Sequence, residues 1–261
     1  KLSMLIDIGT NGEIALGNKD WLIVCAASAG PCFEGSGVSC GVRASKGAIQ
    51  RIKINPDTFN VEYETILDAP AKGICGSGYI DAIAELLKAR IIDRSGKINP
   101  ALEHPRIRQG EYGREFVIAL SEKTGTSADI VINEVDIENL KRAKGAIYAA
   151  CSMLMRHMQL SFDDLEQVFI GGGFGTYLDM SNAIFVGLLP DLPREKFVFV
   201  GNSSLVGARQ VLLSHDAIIN AENIARKMTY FELSVEPRYM DEYVAALFFP
   251  HTDLSKFPSV Q

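Results

Sequence analysis

The chain has 261 residues, 47% of them hydrophobic, and its 26 basic and 32 acidic residues leave a net charge of −6. This composition can bury a large core as one big domain or two small ones; it excludes a disordered chain and argues against a nucleic-acid surface, leaving a protein or small-molecule partner. No apolar run nears the roughly 20 residues that span a bilayer, and the longest candidates, such as Trp21 to Ala27, are strand-length, so no membrane span is expected.

From the N-terminus, Leu2 to Ile8, Glu13 to Leu16 and Trp21 to Ala27 predict an antiparallel meander, joined by Asn11-Gly12 and Gly17-Asn18-Lys19-Asp20. The first of these strands ends in Asp7-Ile8-Gly9-Thr10-Asn11-Gly12-Glu13. Such a turn can hold the phosphates of a nucleotide: Gly9 and Gly12 permit close approach, successive N–H groups can converge on an anion, and Thr10 and Asn11 add uncharged donors. Asp7 and Glu13 suit a hydrated Mg²⁺ or an attacking water. A tight hairpin accounts for Asn-Gly equally well.

A glycine- and serine-rich loop runs to about Gly41, followed by strands near Ala48 to Ile54 and Val61 to Leu67. Gly76-Ser77-Gly78 opens a helix in which Ile80, Ile83, Ala84 and Leu87 recur on one face. The polar segment from Arg90 to Gly113 reads as an irregular surface connection, and Phe116 to Leu120 and Ile130 to Ile132 as strands. Asp136 is placed to cap a long helix, Ile137 to Met158, with a stripe of Leu140, Ala143, Ile147, Ala150, Leu154 and Met158. Lys141 and Lys144 leave this helix on its more polar side.

The second nucleotide candidate is Gln167-Val168-Phe169-Ile170-Gly171-Gly172-Gly173-Phe174-Gly175, an apolar strand running into clustered glycines and then a helix. Without side chains, Gly172 and Gly173 let a sugar or α-phosphate lie against the backbone, and the helix N-terminus favours an anion. A helix-to-sheet packing turn is the alternative. Both turns are strand-terminal and of nucleotide-binding type, which places them in one cleft with Cα atoms within about 15 Å. Two commoner motifs are excluded by counting: Thr176 breaks the dinucleotide fingerprint begun by Gly171 and Gly173, and Asn18 stands where a P-loop lysine belongs. Further on come a helix from about Asp179 to Val186, a strand Phe197 to Val200, and another helix capped by Asn202 or Ser203.

The five cysteines, Cys25, Cys32, Cys40, Cys75 and Cys151, have no Cys-x-x-Cys spacing, so neither a disulfide framework nor a metal cluster is supported and a reducing cytoplasm fits best. The four histidines are scattered, with no nucleophile elbow or metal spacing.

The two glycine turns together resemble the ASKHA superfamily of actin, sugar kinases and heat-shock ATPases. Asp7 to Glu13, Ala29 to Gly35, Ser39 to Ala44, Gly73 to Gly78 and Gly171 to Gly175 resemble, more narrowly, the C-terminal domain of the reductive activators of corrinoid proteins. The resemblance implies an α/β fold, an RNase H-like lobe whose mixed sheet is flanked by helices, spanning residues 1–261 with inserted elements around 90–130. It also implies the C-terminal part of a longer protein, with the other phosphate-loop lobe and an iron–sulfur domain lying outside this chain.

By that resemblance Gly9, Thr10, Asn11 and Gly12 bind the β- and γ-phosphates of ATP, Asp7 holds Mg²⁺ through water, and Glu13 orients the attacking water. Gly172, Gly173 and Gly175 line the adenosine, Lys141 and Lys144 border it, and Gly76, Ser77 and Gly78 link the phosphate loop to the interlobe hinge. The implied partner is a corrinoid iron–sulfur or corrinoid methyltransferase protein reduced from Co(II) to Co(I), and a homodimer is allowed. A small-molecule kinase on the same fold, or a non-catalytic docking or dimerisation module, remains the alternative.

Overall fold

The computed structural model describes residues 1–173 and 178–260. In chain order the strands and helices are β1 (Ser3–Ile8), β2 (Gly12–Gly17), β3 (Leu22–Ala27), β4 (Ala48–Ile54), β5 (Val61–Thr65), β6 (Gly73–Ile74), α1 (Gly76–Lys88), β7 (Ile107–Gly110), β8 (Gly113–Ala119), β9 (Ile130–Asn133) and α2 (Glu134–His157). The second half continues with β10 (Gln167–Gly171), α3 (Met180–Phe185), β11 (Phe197–Gly201), α4 (Ser203–Leu213), α5 (His215–Lys227), β12 (Met228–Tyr230) and α6 (Tyr239–Ala245).

The main sheet has the order β11-β10-β1-β2-β3-β12. Its centre is the expected meander, β1 antiparallel to β2 and β2 to β3, while β10 joins β1 in parallel and β11 joins β10 in parallel. Strict alternation decides which side is core: Met4, Ile6 and Ile8 of β1 and Ile14 and Leu16 of β2 are buried, and α2 packs against β2 and β3. Two smaller sheets, β5-β4-β6 and β7-β8-β9, lie outside this one. Helix α1 lies on β4 and α3 packs against α1.

Two expectations along the chain need correction. The segment from Arg90 to Gly113 is not wholly irregular: Ile107–Gly110 pairs antiparallel with β8, and Ile107 is buried by that ladder. Helix α2 starts three residues earlier than Asp136 implied. Asn133 is its N-cap, accepting from the Asp136 N–H at 2.8 Å, while the Asp136 carboxylate accepts from the Asn133 N–H, so Asp136 is the inner member of a capping box.

The segment after α6 folds back over α2. Glu242 of α6, 13% exposed, receives Lys256 Nζ at 2.7 Å and faces His251 Nε2 at 3.5 Å. Burial alone would push this carboxyl up, but hydrogen bonding from His251, Lys256 and Ser152 outweighs it and holds Glu242 at about 2. A depressed carboxyl stabilises the fold above its ordinary value, here 4.5, and loses that contribution as pH falls toward about 2. Glu242→Gln is therefore expected to cost about 3 kcal/mol at pH 6 and about half of that at pH 3, measured by denaturant unfolding of both proteins across that range.

Candidate active site at the strand ends

Asp7, the next-to-last residue of β1, is the register partner of Gly171 on β10 and of Glu13 on β2. Adjacent strands lie about 4.8 Å apart, so the two glycine turns adjoin directly, well inside the expected reach. Gly172 closes the junction. Its φ is +96°, its N–H donates to Gly201 O at 2.9 Å, and a Cβ there would stand 2.4 Å from Ile8 O, so no other residue fits. The ends of β1, β10 and β11 thus meet at one point.

The β11–α4 turn completes it. Asn202 caps α4 by accepting from the Leu205 N–H at 2.9 Å, so Ser203 is not needed as the cap. Its hydroxyl instead donates to Asp7 Oδ2 at 3.0 Å, with Ser204 Oγ at 3.5 Å. These serines orient Asp7 and leave its other oxygen, Oδ1, toward Gly172. Glu13 is exposed on the neighbouring strand, on the same face of the ladder as Asp7.

The phosphate-type turn is closed on itself. Gly9 N–H donates to Asn11 O at 2.9 Å, and Thr10 Oγ1 donates to Glu34 Oε2 at 2.6 Å. Two of the donors expected to face phosphate are therefore engaged within the protein, and Glu34 lies over the loop. A cleft of about 280 Å³ opens beside it, lined by Ile8, Phe33, Glu34, Arg43, Ala44, Cys75, Gly76, Ser77 and Gly173. Helix α1 begins here with no side-chain cap at Cys75, so its first N–H groups are open to an anion.

The wall carrying Phe33, Glu34 and Arg43 is fastened to the start of α2. Asp136 Oδ1 accepts from the Ser39 N–H at 2.7 Å and from Ser39 Oγ at 3.1 Å, Asn133 Nδ2 donates to Ser39 Oγ at 2.7 Å, and Asn139 Nδ2 donates to Gly37 O at 2.9 Å. Burial pushes the Asp136 carboxyl up against the hydrogen bonds it receives from Ser39 and Asn133.

The remaining expected residues fall elsewhere. Gly78 faces the sheet rather than the cleft, its Cα set against Ile49 O where α1 crosses β4. Lys141 pairs with Glu138 at 2.7 Å and donates to Ser95 O at 2.7 Å. Lys144 is not on a polar side: it is 1% exposed, donates to Phe248 O at 2.5 Å and Pro250 O at 2.6 Å, and burial drives its ammonium well below the ordinary lysine value. The tail that covers it makes it a structural donor with no reach to a ligand. Gly175 lies outside the described residues. Conversely, Glu34, Arg43 and Cys75 line the cleft without having been singled out individually; their only sequence signal is membership of the motif blocks.

Comparison with known proteins agrees with this geometry. The family model described as the C-terminal domain of RACo, the ASKHA domain, matches residues 1–261. The chain is 35% identical over 253 residues to the corrinoid activation enzyme RamQ of Eubacterium limosum, covering 94% of this chain and 42% of that protein. It is 31% identical over 247 residues to the [Co(II) methylated amine-specific corrinoid protein] reductase of Methanosarcina barkeri, covering 87% and 42%. A solved reductive activator for corrinoid, iron–sulfur protein superposes with a TM-score of 0.97 at 54% identity, over all of this chain and 41% of its own. The chain thus spans about two fifths of the length of these relatives. The motif blocks, the sheet and the full-length family match agree, and the chain belongs to the family of the C-terminal ASKHA domain of RACo.

Proposed function

We propose that this chain is the ATP-binding and ATP-hydrolysing portion of a reductive activator that couples ATP to the reduction of a Co(II) corrinoid protein to Co(I). The observation that carries this reading is the junction of the Asp7 and Gly171–Gly173 turns on neighbouring parallel strands, beside the uncapped start of α1. The substrate class comes from the relatives, one named a corrinoid activation enzyme and another a Co(II) corrinoid-protein reductase. The electron comes from an iron–sulfur part of the longer protein, in the cytoplasm.

The residues present fit Mg²⁺ and ATP by their donor chemistry: carboxylate oxygen at Asp7, open helix N–H groups, and glycine backbone at two strand ends. Bound Mg²⁺ supplies neutralisation of phosphate charge. Asp7, oriented by Ser203, holds the metal's water shell. Gly9, Thr10, Asn11 and Gly12 hold the β- and γ-phosphates, which requires Thr10 to exchange its bond to Glu34 for one to phosphate. Glu13 orients the attacking water, and Gly172 and Gly173 line the adenosine. Gly76 and Ser77 offer N–H groups to the same anion.

Partner docking has support outside the cleft. Helices α4 and α5 bury no residue and expose Leu205, Val206, Leu212, Leu213, Ile218, Ile219 and Ile224. So apolar a face belongs against protein, whether the rest of the longer protein, the corrinoid protein or a second copy of the activator.

An ASKHA site has two phosphate loops, one per lobe, and this chain contributes one. With half of the electrostatic clamp around the γ-phosphate missing, the chain by itself is expected to bind ATP weakly and hydrolyse it negligibly. Isothermal titration and a phosphate-release assay on this chain and on the longer protein check this. Equal turnover in both would mean that the cleft is complete within these residues.

A further inference from the structure

We propose that Arg43 is the γ-phosphate contact of this cleft, a catalytic guanidinium for phosphoryl transfer from ATP to water; the assignment rests on the nucleotide reading above. Among the described residues lining the cleft, Arg43 is the only cation. It is exposed, and its guanidinium makes no ion pair or hydrogen bond with any described residue. Two of the cations expected at the nucleotide are spent elsewhere, Lys141 on Glu138 and Ser95 O and Lys144 on two backbone carbonyls.

The backbone carrying Arg43 is held rigidly. Gly41 bridges Ile74 in parallel, Ile74 N–H donates to Cys40 O at 2.8 Å, and Val42 N–H donates to Ile74 O at 3.0 Å. This packing needs a glycine, since a Cβ on Gly41 would stand 2.3 Å from Gly35 O. Ile74 leads directly into Cys75, Gly76 and Ser77, which line the same cleft as Arg43. The main chain at Arg43 and the start of α1 are therefore joined through Ile74, which sets the base of the arginine side chain beside the open helix N–H groups.

Charge balance points the same way. Asp7, Glu13 and Glu34 surround the phosphate-type turn, and the Gly9 N–H and Thr10 hydroxyl are already engaged. A triphosphate entering there meets three carboxylates and needs a cation from the protein in addition to Mg²⁺. A guanidinium keeps its charge at any working pH and matches two phosphate oxygens with its fork of donors. In the step it serves, water oxygen bonds to the γ-phosphorus and the bond from that phosphorus to the β,γ-bridging oxygen breaks. ADP keeps the bridging oxygen, and the water's proton passes to a carboxylate and on to solvent. Charge on the equatorial γ-oxygens is what Arg43 meets.

The test is titration of the full-length protein that carries this chain with Mg-ATP and with Mg-ADP, for wild type, Arg43→Ala and Arg43→Lys. Arg43→Ala is expected to weaken ATP by roughly 10–100-fold while ADP stays within about twofold, and Arg43→Lys to retain part of the preference. Phosphate release by the Ala variant is expected to fall on the order of 10³-fold. An unchanged ratio of ATP to ADP affinity in Arg43→Ala, or equal weakening of both nucleotides, overturns the γ-phosphate assignment while leaving the nucleotide reading intact. Wild type that binds neither nucleotide rejects that reading, and this assignment with it.

Discussion

Glu13→Gln in the longer protein is expected to lower ATP hydrolysis by about 10²–10⁴-fold with nucleotide affinity nearly unchanged. Glu13 is exposed on β2, level with Asp7 across the strand pair, so the isosteric change disturbs no packing. A carboxylate that orients water acts only as the transition state forms, and its loss appears in turnover rather than in binding. Co(I) formation, followed spectroscopically, falls with the hydrolysis rate if ATP drives the reduction. A residue that contacted a metabolite acceptor would instead raise the KM for that acceptor. Normal corrinoid reduction in the variant, or ATP-dependent phosphorylation of a small molecule by wild type, would reject the assignment.

Lys144→Met is expected to destabilise the chain by about 2–4 kcal/mol, lowering Tm by roughly 5–10 °C, while leaving ATP affinity in place. The side chain of Lys144 satisfies Phe248 O and Pro250 O, and next to it Arg94 donates to Phe249 O at 3.0 Å and to His251 O. These two side chains hold four successive carbonyls of the tail over α2. Methionine fills the space of the lysine stem but leaves both of its carbonyls buried and unpaired, and an orphaned acceptor costs more than the bond itself contributes. Thermal unfolding with parallel ATP titration separates this role from nucleotide contact: a variant of normal Tm and weakened ATP binding would restore Lys144 to the adenosine.

The parts of the fold that were legible are those whose cause is local. The meander β1–β3 is written in alternation, because a half-buried strand must alternate, whereas the turn between β1 and β2 is not the two-residue Asn11-Gly12 hairpin but Gly9-Thr10-Asn11, with Gly12 already paired to Ile8. Strand β7 was not legible. Only Ile107 among its residues is buried, and the pairing that makes Ile107–Gly110 a strand comes from β8. The start of α2 was misplaced because Asn133 and Asp136 are both capping residues, and which one caps depends on where the helix is already hydrogen-bonded.

The sequence by itself determined the family and the two strand-terminal glycine turns, since the residues of each turn are contiguous in the chain. Which donors are free to meet a ligand was decided only by tertiary structure. Thr10 is engaged by Glu34, Asp7 is oriented by Ser203, which lies 196 positions away, and Lys144 is buried by a segment more than 100 positions downstream. Arg43, by contrast, is left open at the cleft. Local pattern sets backbone conformation; whether a polar group is spent or available depends on partners brought close by packing, and no spacing along the chain records those distances.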